Sequence, residues 1–251
     1  MKTRKPQTKW KPPQLRIDAD FIWFRAATAC EEELEFNEDL TFIVGSFSEG
    51  KRVIEREIRD LKTRFDTNDI LLTFTDESNF RKKICPDYKG NRRNRRKPAG
   101  YLKLKRWGME TWPSLTMPSL EADDVLGIIC TQGDSNFVLV SPDKDMLQIP
   151  CRHWNLKEEF TVEPEDAERA LYLQALTGDS TDGYPGLAGC GPKKAAAILD
   201  KAKEGYWSAV VAAYEKSGFT EEDALKQLRL AKILQSSDWD EEKQEPILFT
   251  P

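Results

Sequence analysis

The chain has 251 residues, long enough to bury a substantial core. Its 39% hydrophobic and 32% charged content is that of a soluble globular protein, and no apolar run approaches the roughly 20 residues of a membrane span. Five scattered cysteines without a C-x-x-C pair, beside a single histidine, argue against a disulfide framework, a zinc site and histidine-based hydrolysis.

The basic, proline-containing start "MKTRKPQTKWKPPQ" has no apolar segment behind it, so it reads as an arm able to touch polyanions rather than a secretory signal. "QLRIDAD" predicts a short strand ending in acids, and a helix from Phe21 to about Glu33 follows with Asp20 as its N-cap. "LTFIVGSF" predicts a strand. "EGKRVIEREIRDLKTRF" predicts an amphipathic helix with Val53, Ile54, Ile58, Leu61 and Phe65 on its apolar face. "DILLTFTD" is a continuous apolar strand ending at Asp76. After an interruption from Asn79 to about Pro113 come a helix from about Glu121, the strand "NFVLVSPD" and a hairpin, "CRHWNLKEEFTVEP", in which His153 is structural. From Pro164 onward the pattern is helical.

Alternating strands and helices predict an α/β fold with a mostly parallel central sheet flanked by helices and a helical C-terminal region. The expected division is an α/β core over residues 1–160 and a helical region over 161–251 packed on it.

The net charge of −5 conceals an asymmetry. Between Arg81 and Arg106 there are twelve Lys or Arg and one acid, Asp87, which leaves the remainder of the chain at −16. A dense basic segment in an acidic chain suggests a docking surface for a polyanion; a solvated loop is the plainer alternative.

Asp18, Asp76 and Asp143 each follow an apolar strand, and ligands of parallel sheets bind at the carboxyl ends of the strands. Glu121 and Asp124 are three apart at a helix start, with Asp123 between them. Asp145 follows Asp143 by two, and Asp179 and Asp182 repeat the spacing of three in "GDSTDG". Singly these are caps and turn formers. Jointly they would repel and be driven to protonate unless cations neutralised them. Oxygen-only donors suit Mg²⁺ or Mn²⁺, and a pair of such ions is the usual arrangement for phosphodiester hydrolysis. The basic segment supplies a surface for the nucleic-acid backbone.

"GYPGLAGCGPKKAAAIL" is a glycine-rich turn opening a helix at Pro192. Gly189 and Gly191 would let backbone approach closely, and Lys193 and Lys194 lie in the first turn. Such a hairpin can hold a phosphate without reading sequence. A simple tight loop is the alternative.

The segments "LRIDAD", "FTDESNFRKKICPDYKGNR", "EADDVLGI", "SPDKDMLQI" and "GDSTDGYPGLAGCGPKKAAAIL" resemble, in order, those of the 5′-nuclease (flap endonuclease) superfamily, and most of all its branch of T-seven-type podophage exonucleases. The resemblance implies a PIN-like nuclease core with a basic arch at about 79–113 and a helix–turn–helix clamp on duplex DNA, with a K⁺ at the Gly183–Lys194 hairpin. It implies two Mg²⁺ (or Mn²⁺) ions. Asp18, Asp76, Glu121 and Asp123 look like ligands of one; Asp124, Asp143, Asp145, Asp179 and Asp182 look like ligands and outer shell of the other. Arg81 and Lys89 would contact the scissile phosphate, Arg92 would support them, and Tyr88 would stack on a terminal base. Asp143, Lys89 and Arg81 are the expected catalytic residues. Ala19 stands where the family usually has glycine, and the stretch from Arg92 to Glu121 is short, which favours attack near a 5′ end over threading of a long flap.

The implied activity is 5′→3′ exonucleolytic cleavage of duplex DNA with a 5′ end or flap, with RNA of RNA–DNA hybrids as a further substrate. The implied setting is a monomer in the cytoplasm of an infected bacterial host, serving phage replication and genome processing. The alternatives are an enzyme that is mainly a flap endonuclease, a small PIN-type ribonuclease, and a DNA-binding clamp that has lost its metals.

Overall fold

The structure, a computed structural model, describes residues 11–93, 95–133 and 136–251. The basic arm at 1–10 lies outside the described residues.

Apolar β-branched runs form the sheet. Strands β1 (Gln14–Asp18), β4 (Ile70–Thr73), β5 (Ser114–Leu115), β6 (Phe137–Val140), β7 (Arg152–Trp154) and β8 (Glu159–Thr161) line up in the order β5-β4-β1-β6-β7-β8. All pairings are parallel except the β7–β8 hairpin. Central β4 and β6 are buried almost throughout, which is why they read as unbroken hydrophobic runs, whereas β1 alternates, burying Leu15 and Ile17 between Gln14, Arg16 and Asp18. Helices α1 (Ala19–Ala29), α2 (Phe47–Phe65), α4 (Tyr101–Thr111) and α5 (Ala122–Cys130) flank them. Trp23, at the centre of the main core, donates its indole N–H to the Leu104 carbonyl at 2.8 Å and so joins α1 to α4.

The sequence leads α1 about one turn too far. The chain leaves the helix at Ala29, and Glu31–Asn37 (β2) pairs antiparallel with Leu40–Gly45 (β3) as a separate two-stranded ribbon. Three consecutive glutamates favour helix locally. Pairing with the β-branched and aromatic β3 overrides that preference. Asp20 is also not the cap of α1. Asp18 is, accepting from Phe21 N at 3.2 Å, and Asp20 sits in the first turn.

The basic segment is largely ordered: a short helix, α3 (Arg81–Ile84), a 3₁₀ turn at Gly90–Arg92, and α4. The last four helices are α6 (Pro164–Thr177), α7 (Pro192–Leu199), α8 (Tyr206–Lys216) and α9 (Glu221–Ala231). They enclose their own apolar cluster around Leu176, Leu187, Leu199 and Tyr214. The segment after α9 returns to the α/β part, where Leu234 and Trp239 pack with Leu120, Val125 and Ile128. Gln148 reinforces this junction, donating to the Ala231 carbonyl and accepting from Ile233 N. His153 is buried, stacked on Phe160, with Nε2 2.8 Å from the Ile149 carbonyl.

Candidate active site

The sheet brings β4, β1 and β6 side by side, so their carboxyl ends form one rim. Asp18 ends β1, and its second carboxylate oxygen accepts from Ser141 Oγ at 2.9 Å. Ser141 in turn accepts from Asp143 N at 3.2 Å, which fixes the turn after β6. Asp143 then caps the 3₁₀ helix Lys144–Gln148, accepting from Asp145 N at 2.9 Å. Asp123 lies in the first turn of α5 and Glu121 is that helix's N-cap.

These groups press on one another. Burial, then the Asp20 and Asp143 charges, raise the Asp18 carboxyl to about 7 against the bonds from Ser141 and Phe21. Burial and the charges of Asp18, Glu121 and Asp143 hold Asp123 well above the carboxylate range. Burial and the Asp143 and Asp179 charges lift Asp145 to about 6. Asp143 therefore acts on both groups, the one around Asp18 and Asp123 and the one around Asp145 and Asp179.

The rim meets its own cations on one side. The Lys89 ammonium is bonded to Glu121 Oε1 and lies 3.4 Å from Asp182 Oδ2. Arg92 donates to Asp182 Oδ1 at 2.6 Å and to the Thr181 carbonyl at 3.1 Å. Burial opposes ionisation of Glu121, but Lys89 and Arg81 outweigh it and hold the carboxyl down at about 2. Lys89 occupies the left-handed region with φ of 55°, a conformation disfavoured for a side-chain-bearing residue. Its amide donates to the Asp182 carbonyl at 2.8 Å, and the turn at 179–184 holds it there.

Three expected site residues are placed differently from the sequence expectation. Asp124 is 0% exposed and Arg81 3% exposed, and they form a two-pronged pair at 2.6 and 2.8 Å. Asp124 also accepts from Glu121 N and Leu234 N, both at 3.2 Å, so it has no oxygen facing the rim. Glu121 is the cap of α5 and Asp124 the third residue of its first turn, so the spacing of three makes a capping pair that also shares Arg81. Arg81 spends its remaining donors on Glu121 Oε2 at 3.3 Å and on the Leu230 and Lys232 carbonyls, and at 3% exposure it is sealed from any phosphate. Tyr88 is 3% exposed, stacked on Tyr184, with its hydroxyl 3.0 Å from both Glu121 Oε2 and Asp182 Oδ2. Its ring offers no face to a base.

Asp76 stands apart from the Asp18–Asp123 group. Its carboxylate accepts from Ser78 Oγ at 2.6 Å and Ser119 N at 2.8 Å, and those bonds hold it below the usual carboxylate range. Asp20, read from sequence only as a cap, acts directly on Asp18 and accepts from Thr75 N and the Tyr101 hydroxyl. The D-x-D pattern at the strand end was the signal for it.

In the glycine-rich turn, close approach occurs one step earlier than expected. A Cβ on Gly178 or Gly186 would come within 3.0 Å of the other's backbone segment, and both have positive φ. Gly189 and Gly191 instead stand in open space beside exposed Lys193 and Lys194. The turn thus carries Asp179 and Asp182 at one end and an exposed, basic backbone at the other.

Among the described residues no three acidic, thiol or imidazole groups are already drawn together as a metal-ligand cluster. The donor set nevertheless fits hard cations. It is all oxygen, and burial together with neighbouring acid charges raises Asp18, Asp123 and Asp145, a cost that added positive charge would relieve.

An acid rim at the carboxyl ends of a parallel sheet, faced by the cationic segment that carries Lys89 and Arg92, suits a nuclease. The family model for the N-terminal, resolvase-like domain of 5′-3′ exonucleases matches residues 14–171, and the chain belongs to that family. It is 29% identical to the exonuclease of Escherichia phage T7, over 94% of this chain and 93% of that protein. It is 28% identical to the exodeoxyribonuclease of Enterobacteria phage T3, over 94% and 92%. Flap endonuclease Xni of Shewanella baltica is 33% identical over 49% of this chain and 53% of its own. The fold is shared with a bacteriophage T5 flap endonuclease solved with DNA and metal ions, at a TM-score of 0.62, 20% identity and 88% and 89% coverage.

Proposed function

We propose that the chain is a divalent-metal-dependent 5′→3′ nuclease that hydrolyses phosphodiester bonds near the 5′ ends of duplex DNA. One observation carries the metal dependence: acids from β1, α5 and the turn after β6 raise one another's pKa at the end of the sheet where cleavage would occur. Asp18, Asp123, Glu121 and Asp143 would hold one Mg²⁺ or Mn²⁺, and Asp143, Asp145 and Asp179 the other. When bound, such ions supply a nucleophilic water at neutral pH and stabilise the leaving oxygen.

The chain's own residues do the remainder. Lys89 moves its ammonium from Glu121 and Asp182 to the scissile phosphate and offsets charge on the phosphoryl oxygens. Arg92 keeps the strap registered against the turn at 180–182, and Asp76 holds Ser78 and Ser119 at the rim's edge. Gly189, Gly191, Lys193 and Lys194 hold the duplex backbone, with K⁺ as the candidate ion of the Gly183–Lys194 hairpin. The reading extends to RNA–DNA hybrids as a further substrate and to a monomer working in the infected cell.

The test is cleavage of 5′- and 3′-labelled duplex, a 5′ flap and an RNA–DNA hybrid with Mg²⁺ or EDTA. Release of the 5′ label first, only with Mg²⁺, is expected. Cleavage that persists in EDTA or survives Asp143→Asn sinks the metal reading, and digestion from the 3′ end sinks the polarity.

A further inference from the structure

Helix α5 has its acids at one end and Cys130 at the other, where it meets the start of β7 and the neighbouring Cys151. The two thiols belong to one buried cluster with Leu126, Leu139 and Met146, and both line an open cleft of ≈ 440 Å³ bordered by Phe137, Pro150 and Arg152. Cys130 is sealed, whereas Cys151 is partly exposed to the cleft.

Donors converge on the Cys151 sulfur. His153 Nε2 lies 3.5 Å from it and 2.8 Å from the Ile149 carbonyl. A carbonyl only accepts, so Nε2 carries the ring proton and donates it to Ile149, and the sulfur lies beside that bond, 3.5 Å from the nitrogen. The Cys130 thiol and the Leu139 amide also point to it, and with His153 they pull the Cys151 thiol down to about 6 against its partial burial. The same contact and burial push Cys130 up, with Arg16 on β1 opposing. An accessible sulfur of thiolate character beside a second, protonated thiol is the arrangement of an attacking and a resolving cysteine.

We propose that Cys151 and Cys130 form a thiol–disulfide exchange site for small disulfides such as glutathione disulfide, at the opposite end of the strands from the acid rim. The Cys151 thiolate attacks one sulfur of the small disulfide, whose S–S bond breaks and releases one half as thiolate. Cys130 then attacks Cys151 Sγ and expels the second half, its proton passing to a departing thiolate. Two protein thiols lose two electrons and two protons, and the small disulfide becomes two thiols. The oxidised chain has α5 tied to the entrance of β7.

The full chain is treated with glutathione disulfide at about pH 6 and neutral pH, alkylated and mapped by mass spectrometry. The expected product joins the Cys130 and Cys151 peptides, and Cys130→Ala instead accumulates the glutathione adduct on Cys151. With an aromatic disulfide at about pH 6, Cys151 should react roughly five-fold or more faster than Cys85, since its thiolate fraction outweighs its lower nucleophilicity. A stable adduct on Cys151 in the unsubstituted chain, first labelling at Cys85, Cys30 or Cys190, or a Cys130–Cys151 link that forms only in urea overturns the proposal. Each readout is a covalent mass, so failure of the nuclease reading would leave it untouched.

Discussion

Replacing Asp124 with leucine should unfold the protein before it disables the chemistry. The substitution strands the Arg81 guanidinium, 3% exposed, with two donors at 2.6 and 2.8 Å losing their acceptor, and it also orphans the Glu121 and Leu234 amides. Breaking a buried pair by removing one partner costs about 3–5 kcal/mol, and two buried amides add about 1–3 kcal/mol each less whatever water recovers. A net loss of about 5 kcal/mol follows, or a Tm lower by roughly 10–20 °C in a chain of this size. Urea titration followed by far-UV circular dichroism gives the first quantity; single-turnover cleavage well below the transition gives the second. Arg81→Met should cost a comparable amount, and the double variant Arg81→Met/Asp124→Leu should recover much of it because the remaining buried carboxylate, Glu121, keeps Lys89 as its partner. A variant that keeps full stability but loses cleavage about a thousand-fold would show Asp124 to be a metal ligand and refute the structural role.

Lys89→Ala should slow single-turnover cleavage by about 10²–10³-fold while DNA affinity changes by less than about three-fold, because the ammonium acts on the reacting phosphate; a fall confined to binding would place it elsewhere. The raised carboxyls of Asp18 and Asp145 set a stability trend in EDTA. The folded state binds more protons than the unfolded one between about pH 4 and 7, so stability is present below the unfolded carboxylate pKa and falls as pH rises through about 6 and 7. Thermal melts across that window should show the decline, and Mg²⁺ should raise Tm far more at pH 8 than at pH 5. By the same logic Asp18→Asn and Asp145→Asn should stabilise the metal-free protein at pH 8 by about 1 kcal/mol or more while abolishing cleavage, and chemical denaturation measures this directly. Gly186→Ala should destabilise by several kcal/mol, roughly 3, since the added methyl meets the Thr177 and Gly178 backbone and the residue is left-handed; an unchanged urea midpoint would contradict the packing.

The parallel sheet was readable because β4 and β6 are continuous apolar runs and β1 sets Leu15 and Ile17 among polar residues, and the acids at their ends stand out against those strands. The strand character of Glu31–Asn37 was not readable, because it depends on a partner strand and not on local preference. Asp18, Asp143 and Asp145 could be found from their place after strands. Asp124 and Arg81 could not be separated from the site by spacing, since only the tertiary fold seals α9 over them. Tyr88 likewise sits in a basic, polar stretch that reads as surface, and its burial arises from Tyr184 across the turn. Asp20 shows the opposite case, a D-x-D pattern whose second acid looks like a cap until the Thr75 amide and Tyr101 hydroxyl are seen to hold it beside Asp18.

The position of Lys89 makes the site an ion exchanger. Its ammonium neutralises Glu121 and Asp182 when nothing else is bound, so the rim's charge is already partly balanced by a tethered counterion. In the proposed mechanism, a phosphate that draws the ammonium away removes one of the cations balancing Glu121 and Asp182, which keep Arg81 and Arg92, and so favours an external cation there; a cation that binds releases the ammonium for phosphate. On that reading substrate and divalent ion favour each other's entry, through one side chain changing partners.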